Sequence, residues 1–165
     1  MKHFKTFVII ALVTFGINTA AQAQKVAHVN FQELLMAMPE TASLNSEIEK
    51  TSKTYENDIK AAAEKLKAKI KRYEAEFKTQ TQEENQKRQL ELQQDEQSIM
   101  KTQQIARQDL GLKNQKGLEV ISKKLQIAIE KVAIAQGFEY VLEASSLVVK
   151  KGKDLTADVK SSLGL

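Results

Sequence analysis

His28, in the stretch "KVAHVN", comes closest of any residue in this chain to metal or proton-transfer chemistry, and beyond the first 23 residues it is the only histidine. A metal site needs further ligands of that kind nearby. None accompanies it, and the chain has no cysteine. Set between Val26 and Val29, His28 reads as a residue of a short strand. The carboxylates are strewn along charged helical stretches, with no apolar pocket to tune their acidity for acid–base work. No "GxxxxGK[ST]" loop is present to cradle a nucleotide's phosphates. The chain is therefore expected to be no enzyme, with no cofactor and no metal. Lys65, Lys67, Lys69, Lys71 and Arg72 are a local basic cluster, but their spacing spreads them around a helix as a solvated face.

The first residues carry an address. Lys2, His3 and Lys5 precede an apolar run from Phe7 to Ile17, and Ala21 and Ala23 give the small residues of a cleavage site before Gln24, so residues 1–23 read as a secretory signal. The apolar run falls short of the ~20 residues a membrane span requires. Removal of Lys2 and Lys5 takes the formal charge from +4 to +2, 23 basic residues against 21 acidic. A nearly balanced, exported chain is not expected to bind nucleic acid. A soluble periplasmic location is expected.

One proline, 28% charged residues and few aromatics are the composition of long helix. From Thr41 to Lys78 the apolar positions are Leu44, Ile48, Thr51, Tyr55, Ile59, Ala62, Leu66, Ile70, Tyr73 and Phe77, an eleven-residue rhythm that suits an almost straight helix. Tyr55, Tyr73 and Phe77 fall on this seam and are expected to be core. "TQEE" supplies Thr81 as N-cap with Glu84 three residues on, placing a tip near 79–83. The rhythm returns in Ile99, Leu110, Ile121 and Val132, with Gln103, Ala106, Asn114, Gly117, Leu125 and Ala128 between them, and Gly137 is placed to end the helix. Two such helices fold back as an antiparallel hairpin about 60 Å long, with Tyr55 opposite Ala106 and Leu44 opposite Gly117. Polar Gln103 and Asn114 on the seam, with Gly111 and Gly117 beside them, leave two readings: a loosely specified coiled coil, or an arm that bends near its root.

From Leu118 to Gln136 the second helix becomes apolar nearly all round, including Leu118, Ile121, Leu125, Ile129 and Val132, and such a helix must be buried. A short helix Phe31 to Met38, ended by Pro39, can cover one side only. "FEYVLEA" and "LVVKK" are two strand-like runs joined by a turn, and they are the partners that "KVAHVN" needs. Three strands still leave two bare edges, which proteins pair or close. Val26, Val29, Tyr140, Leu142 and Val148, with the apolar helix, are therefore the candidate oligomerisation body. The organisation is residues 24–40 and 118–165 as body and 41–117 as arm. The fold class is mainly α with a small β part: a long helical hairpin on a small sheet or barrel shared between subunits.

"KVAHVNFQELLMAMPE", a long polar hairpin, "AIEKVAIAQGFEYVLEAS", a second strand and "DLTADVKSSLGL" together resemble the Skp family of periplasmic chaperones, also called OmpH-like. The resemblance implies a homotrimer whose body is a small β-barrel of strands from all three subunits, carrying three arms around a cavity. In that cavity unfolded outer-membrane β-barrel proteins would be held without ATP. It further implies body strands at Lys25 to Asn30, Phe138 to Leu142 and Leu147 to Lys150, and a last short helix at "DLT", for which Thr156 is the candidate N-cap. Members are often strongly basic; this chain is near neutral after cleavage, so no lipopolysaccharide site is carried over, while transient contact with a membrane surface or lipid stays open. The competing reading is a periplasmic structural or adaptor coiled coil, which should show a continuous seam and a uniformly stable hairpin.

Overall fold

A proline has no backbone N–H and holds φ near the helical value, so it stops a helix that reaches it and suits the first turn of the next. Pro39 does both in the computed structural model, which describes residues 25–165. It follows α1 (Phe31–Ala37) and opens α2 (Pro39–Glu76), with Met38 between them in extended backbone. The expected leader, with Ala21, Ala23 and Gln24, lies outside the described residues.

A 3-10 turn (Phe77–Thr79) and extended Gln80 reverse the chain into α3 (Gln82–Ala135), a helix of 54 residues. The expected cap forms. The Thr81 hydroxyl accepts the Glu84 N–H at 3.2 Å and its carbonyl accepts the Asn85 N–H at 3.0 Å. The Asn85 amide reaches back to the Phe77 carbonyl at 3.0 Å, which ties the new helix to the old one. At the far end Gly137 takes φ 71°, with Phe138 N–H on the Ala133 carbonyl and Gly137 N–H on the Ile134 carbonyl. That paired arrangement closes a helix end and needs a left-handed residue, which glycine supplies without strain.

The strands form one sheet in the order β2-β1-β3, where β1 is Val26–Val29, β2 is Tyr140–Glu143 and β3 is Lys153–Asp154. Both pairings are parallel, Val26 against Tyr140 through Val29 against Glu143, and His28 against Asp154. The N-terminal strand is thus the central one. The run Leu147 to Lys150, expected as a strand, is not one. After β2 the Glu143 carboxylate accepts the Ser145 N–H and the chain turns through a 3-10 segment, Ala144–Ser146, instead of a hairpin. β2 and β3 run in the same direction on opposite sides of β1, so no tight turn can join them; residues 147–152 serve as part of the connection and pairing resumes only at Lys153. Gly152 permits the approach: a Cβ there would lie 3.2 Å from the Val26 carbonyl oxygen. A final helix, α4 (Thr156–Leu163), ends at Gly164, also left-handed at φ 75°.

The described chain divides into two compact units, residues 25–31 with Ala128–Gly164, and Gln32–Ile127. In the first, Ala27, Val29, Val132, Ala133, Leu155 and Val159 are buried. In the second, Leu34, Met38, Leu44, Ala106, Ile121 and Leu125 are buried.

Candidate functional site

His28 is 5% exposed on the central strand, and its Nε2 lies 3.6 Å from an Asp154 oxygen, too far for a hydrogen bond. Asp154 is occupied elsewhere. The Thr156 hydroxyl, and then the Thr156 N–H at 2.8 Å, hold its carboxyl below the usual carboxylate range, with smaller help from His28 and Lys150. Thr156 is therefore not the N-cap of α4: Leu155 holds that position, the Asp154 carboxylate takes the Thr156 N–H, and the Thr156 hydroxyl accepts the Asn30 N–H at 2.9 Å. The reason is geometric, since β3 runs directly into α4 and leaves Thr156 already within the first turn. Among the described residues no group of three or more His, Cys, Asp or Glu side chains is placed to hold a metal ion.

The surface offered by the hairpin follows from its seam. Leu44 is buried and meets Gly117, where a Cβ would collide with both leucine methyl carbons. Ile48, Tyr55, Ile59, Leu66, Ile70, Ile99 and Leu110 lie half-buried along the same line. Three expected seam positions are displaced. Gln103 and Asn114 are exposed, and Thr102 and Lys113 take the places one residue earlier. Steps of three-four-four and four-three-four have the same mean period, so only contact with the facing helix decides between them. Phe77 is 61% exposed because the 3-10 turn breaks the helical phase at Glu76. With Thr102 and Lys113 in the places expected for Gln103 and Asn114, the middle of the seam stays polar, while Gly117 is filled by Leu44.

Polar contacts cross the hairpin along its length. Lys124 pairs with Glu40, Lys113 with Glu47 at 3.0 Å, and Arg88 with Glu76 at 2.8 Å. Lys69 is held by Glu91 at 2.7 Å and Asp95 at 2.6 Å, and Tyr73 donates to Glu91 at 2.6 Å. Lys69 keeps its proton well above the usual lysine range, through hydrogen bonds first to Asp95 and then to Glu91. Lys69 thus belongs to a structural clasp rather than to a basic patch. Near the tip Arg88 stacks over the Tyr73 ring, 4.6 Å from its centre. A cleft of about 390 Å³ opens there, lined by Ile70, Tyr73, Phe77, Arg88 and Leu92 among others. The sequence signal for the Arg88 clasp was weak, because it joins residues from the two sides of the turn.

Apolar residues also lie off the seam. On α3, Leu90, Met100, Ile105, Leu112, Val120 and Ile127 are exposed, at 45% to 70%. Sequence reading by seam periodicity missed Leu90, Met100, Ile105 and Leu112; apolar residues out of phase with the seam were the available signal. Of the expected body residues, Val29, Ile121, Leu125 and Val132 are buried, while Val26, Leu118 and Ile129 are half-buried. Tyr140, Leu142 and Val148 are exposed, Val148 completely so. Val120, Ile127 and Ile134 are exposed as well, so a single chain does not bury this part of the helix on every side. No helix of the described residues is long and apolar enough to cross a membrane.

A long helix pair packed together and a small three-stranded parallel sheet define a class of mainly helical proteins. A crystal structure of a candidate outer membrane chaperone (OmpH-like) from Caulobacter crescentus is similar to it, with a TM-score of 0.77 and 16% identity over 84% of this chain and 83% of that one. The model of the family described as outer membrane protein (OmpH-like) matches residues 25–163, and the chain belongs to that family. No curated protein matches the chain by sequence.

Proposed function

We propose that this protein is an ATP-independent periplasmic holdase, which encloses unfolded outer-membrane β-barrel proteins between helical arms and keeps them from aggregating on their way to the outer membrane. The observation that carries this reading is the match to the OmpH-like family from β1 through α4, residues 25–163, in a chain whose solved structural relative is named for outer membrane chaperone function. In this reading residues 1–23 are removed after Ala23, residues 41–117 form the arm, and three copies join through residues 24–40 and 118–165. Support for self-association comes from outer strands that hold only two to four residues each and from exposed Tyr140, Leu142, Val148 and Val149. Bare edges and apolar side chains of this kind call for a partner.

Grip without ATP needs many weak contacts summed by enclosure. The half-buried seam and scattered exposed apolar groups are of that kind; a broad apolar surface would aggregate when empty. The test is dilution of a urea-unfolded outer-membrane barrel into the purified mature protein, following light scattering and the mass of the complex. Suppressed scattering with a soluble complex of one or a few trimers per barrel is the expected result. Unrestrained precipitation with no complex would favour a structural coiled coil.

A further inference from the structure

β3 is the weakest member of the sheet. It pairs with β1 through two residues, Lys153–Asp154, where β2 pairs through four, and both of its residues are exposed. So short a pairing opens locally at small cost. The Leu155 N–H on the His28 carbonyl, at 2.9 Å, continues it by one bond. At this register His28 stands opposite Asp154, 5% exposed, with its Nε2 3.6 Å from Asp154 Oδ2. The carboxylate is held in place, because Oδ1 accepts the Thr156 N–H at 2.8 Å. Its bonds to the Thr156 hydroxyl and N–H also keep it ionised below the usual carboxylate range. The other charges around this pair are engaged or turned outward. On β2, Leu142 lies opposite His28, and the Glu143 carboxylate takes the Phe31 and Ser145 N–H groups. Lys153 pairs with Asp158 of α4 at 3.1 Å, Lys150 acts on Asp154, and Lys25 and Lys151 are exposed. The buried residues of the helices in this unit, Ala128, Val132 and Ala133 on α3 and Thr156 and Val159 on α4, have no titratable group.

We propose that His28 and Asp154 form a pH-operated latch on the edge strand. When His28 takes a proton from solvent, its Nε2–H donates to Asp154 Oδ2 and fastens β3, which runs directly into α4, to the central strand. When the proton leaves, the fastening is lost and β3 detaches more often. At 3.6 Å the two groups have no hydrogen bond. A protonated ring beside an ionised carboxylate gains both a charge partner and an acceptor, and the usual length of such a bond, about 2.8 Å, is reached by a shift of under about 1 Å. Burial by itself opposes a charged ring, so the latch depends on Asp154. The coupling needs His28 charged and Asp154 ionised together. It is therefore present on the acid side of histidine titration, down to the pH at which the carboxylate protonates, and absent in base. It acts on local opening of β3 and not on the melting of the long helices, and it does not depend on the holdase reading.

The test is a double-mutant cycle in the mature protein, with His28→Gln, Asp154→Asn and both together. Amide hydrogen exchange is measured at about pH 5.5 and about pH 8, on either side of histidine titration, and corrected for intrinsic rates. Asparagine keeps an oxygen for the Thr156 N–H, and glutamine keeps a polar side chain that takes no charge. The Leu155 N–H reports on β3, while the Glu139 N–H, which donates to the Lys25 carbonyl at 2.9 Å, reports on the β2 side. In wild type Leu155 should be about fivefold better protected at the lower pH, the scale of an ion pair with one exposed partner. Every variant should lose that pH dependence, and Glu139 should not share it. Wild type and His28→Gln decide the matter even if Asp154→Asn detaches β3 outright. Coupling between the two residues that is equal at both pH values overturns the proposal, as does a His28 ring that NMR shows still neutral at the lower pH. A gain shared equally by Glu139 would show the sheet opening as one piece and would overturn a latch at β3.

Discussion

Gly111 and Gly117 look alike in the sequence, two glycines in a helix interior, each weaker there than alanine. Their surroundings separate them. Nothing lies within 4 Å of a Cβ placed on Gly111, whereas one on Gly117 would run into Leu44. Gly111→Ala should therefore stabilise the helix by about 0.5–1 kcal/mol, and Gly117→Ala should destabilise by about 1–3 kcal/mol unless Leu44 gives way. Thermal melts of both variants, with Leu44→Ala added to the second, measure this. Partial rescue of Gly117→Ala by Leu44→Ala is the expected signature of the contact. The sequence located Leu44 opposite Gly117 because counting outward from a well-marked turn sets the register of a hairpin. It misread Gln103 and Asn114, because one residue of phase is invisible to a mean period. The bending arm loses one support, since Gly117 has a packing reason, and keeps another, since half-buried Thr102 and Lys113 leave the middle of the seam polar.

At the scale of the element, the hairpin is bridged by carboxylates. Hydrogen bonds from Lys69, and then from Tyr73, hold Glu91 below the usual carboxylate range, and Lys124 does the same for Glu40. A carboxylate with a depressed pKa in the folded state contributes stability that is complete above its unfolded value, about 4.3 for glutamate, and is lost as the pH falls through the folded value. The Tm of the protein should accordingly be level from neutral pH to about pH 5 and fall below it, as followed by circular dichroism. Lys69→Met leaves Glu91 and Asp95 as neighbouring like charges on α3, so the deficit of the variant should be largest near pH 7 and close as the pH drops. These contacts were only partly legible. The pair Glu49 and Lys53, four residues apart, can be read from the chain and is present at 2.6 Å. The cross-helix set depends on which residues the register brings face to face, and a one-dimensional reading of charge cannot assign partners across a turn.

For the whole molecule, the open question is what covers the apolar residues that one copy leaves in water. Leu142 is 41% exposed and Val148 fully exposed. If three copies pair through these surfaces, Leu142→Glu with Val148→Glu should lower the sedimenting mass at micromolar concentration from trimer toward monomer, while the helical circular dichroism signal is kept. An unchanged mass would place the contacts elsewhere. The sheet shows where sequence reading reached its limit at this scale. A strand at each end of the chain and a partner for "KVAHVN" were evident from apolar alternation and turn residues. That β1 is central, that pairing is parallel, and that Lys153–Asp154 and not "LVVKK" supplies the third strand were not.

The amino-acid order by itself determined the long helices, their caps at Thr81 and Gly137, the turn, the approximate register and the resemblance to the OmpH-like family, because each rests on local periodicity or on a residue's own backbone preference. Tertiary contact decided the seam phase at Thr102 and Lys113, the role of Thr156 as acceptor for Asn30, the Lys69 clasp and the strand order. In each of those cases two local arrangements are nearly equal in energy, and what tips the balance is a neighbour distant in the chain.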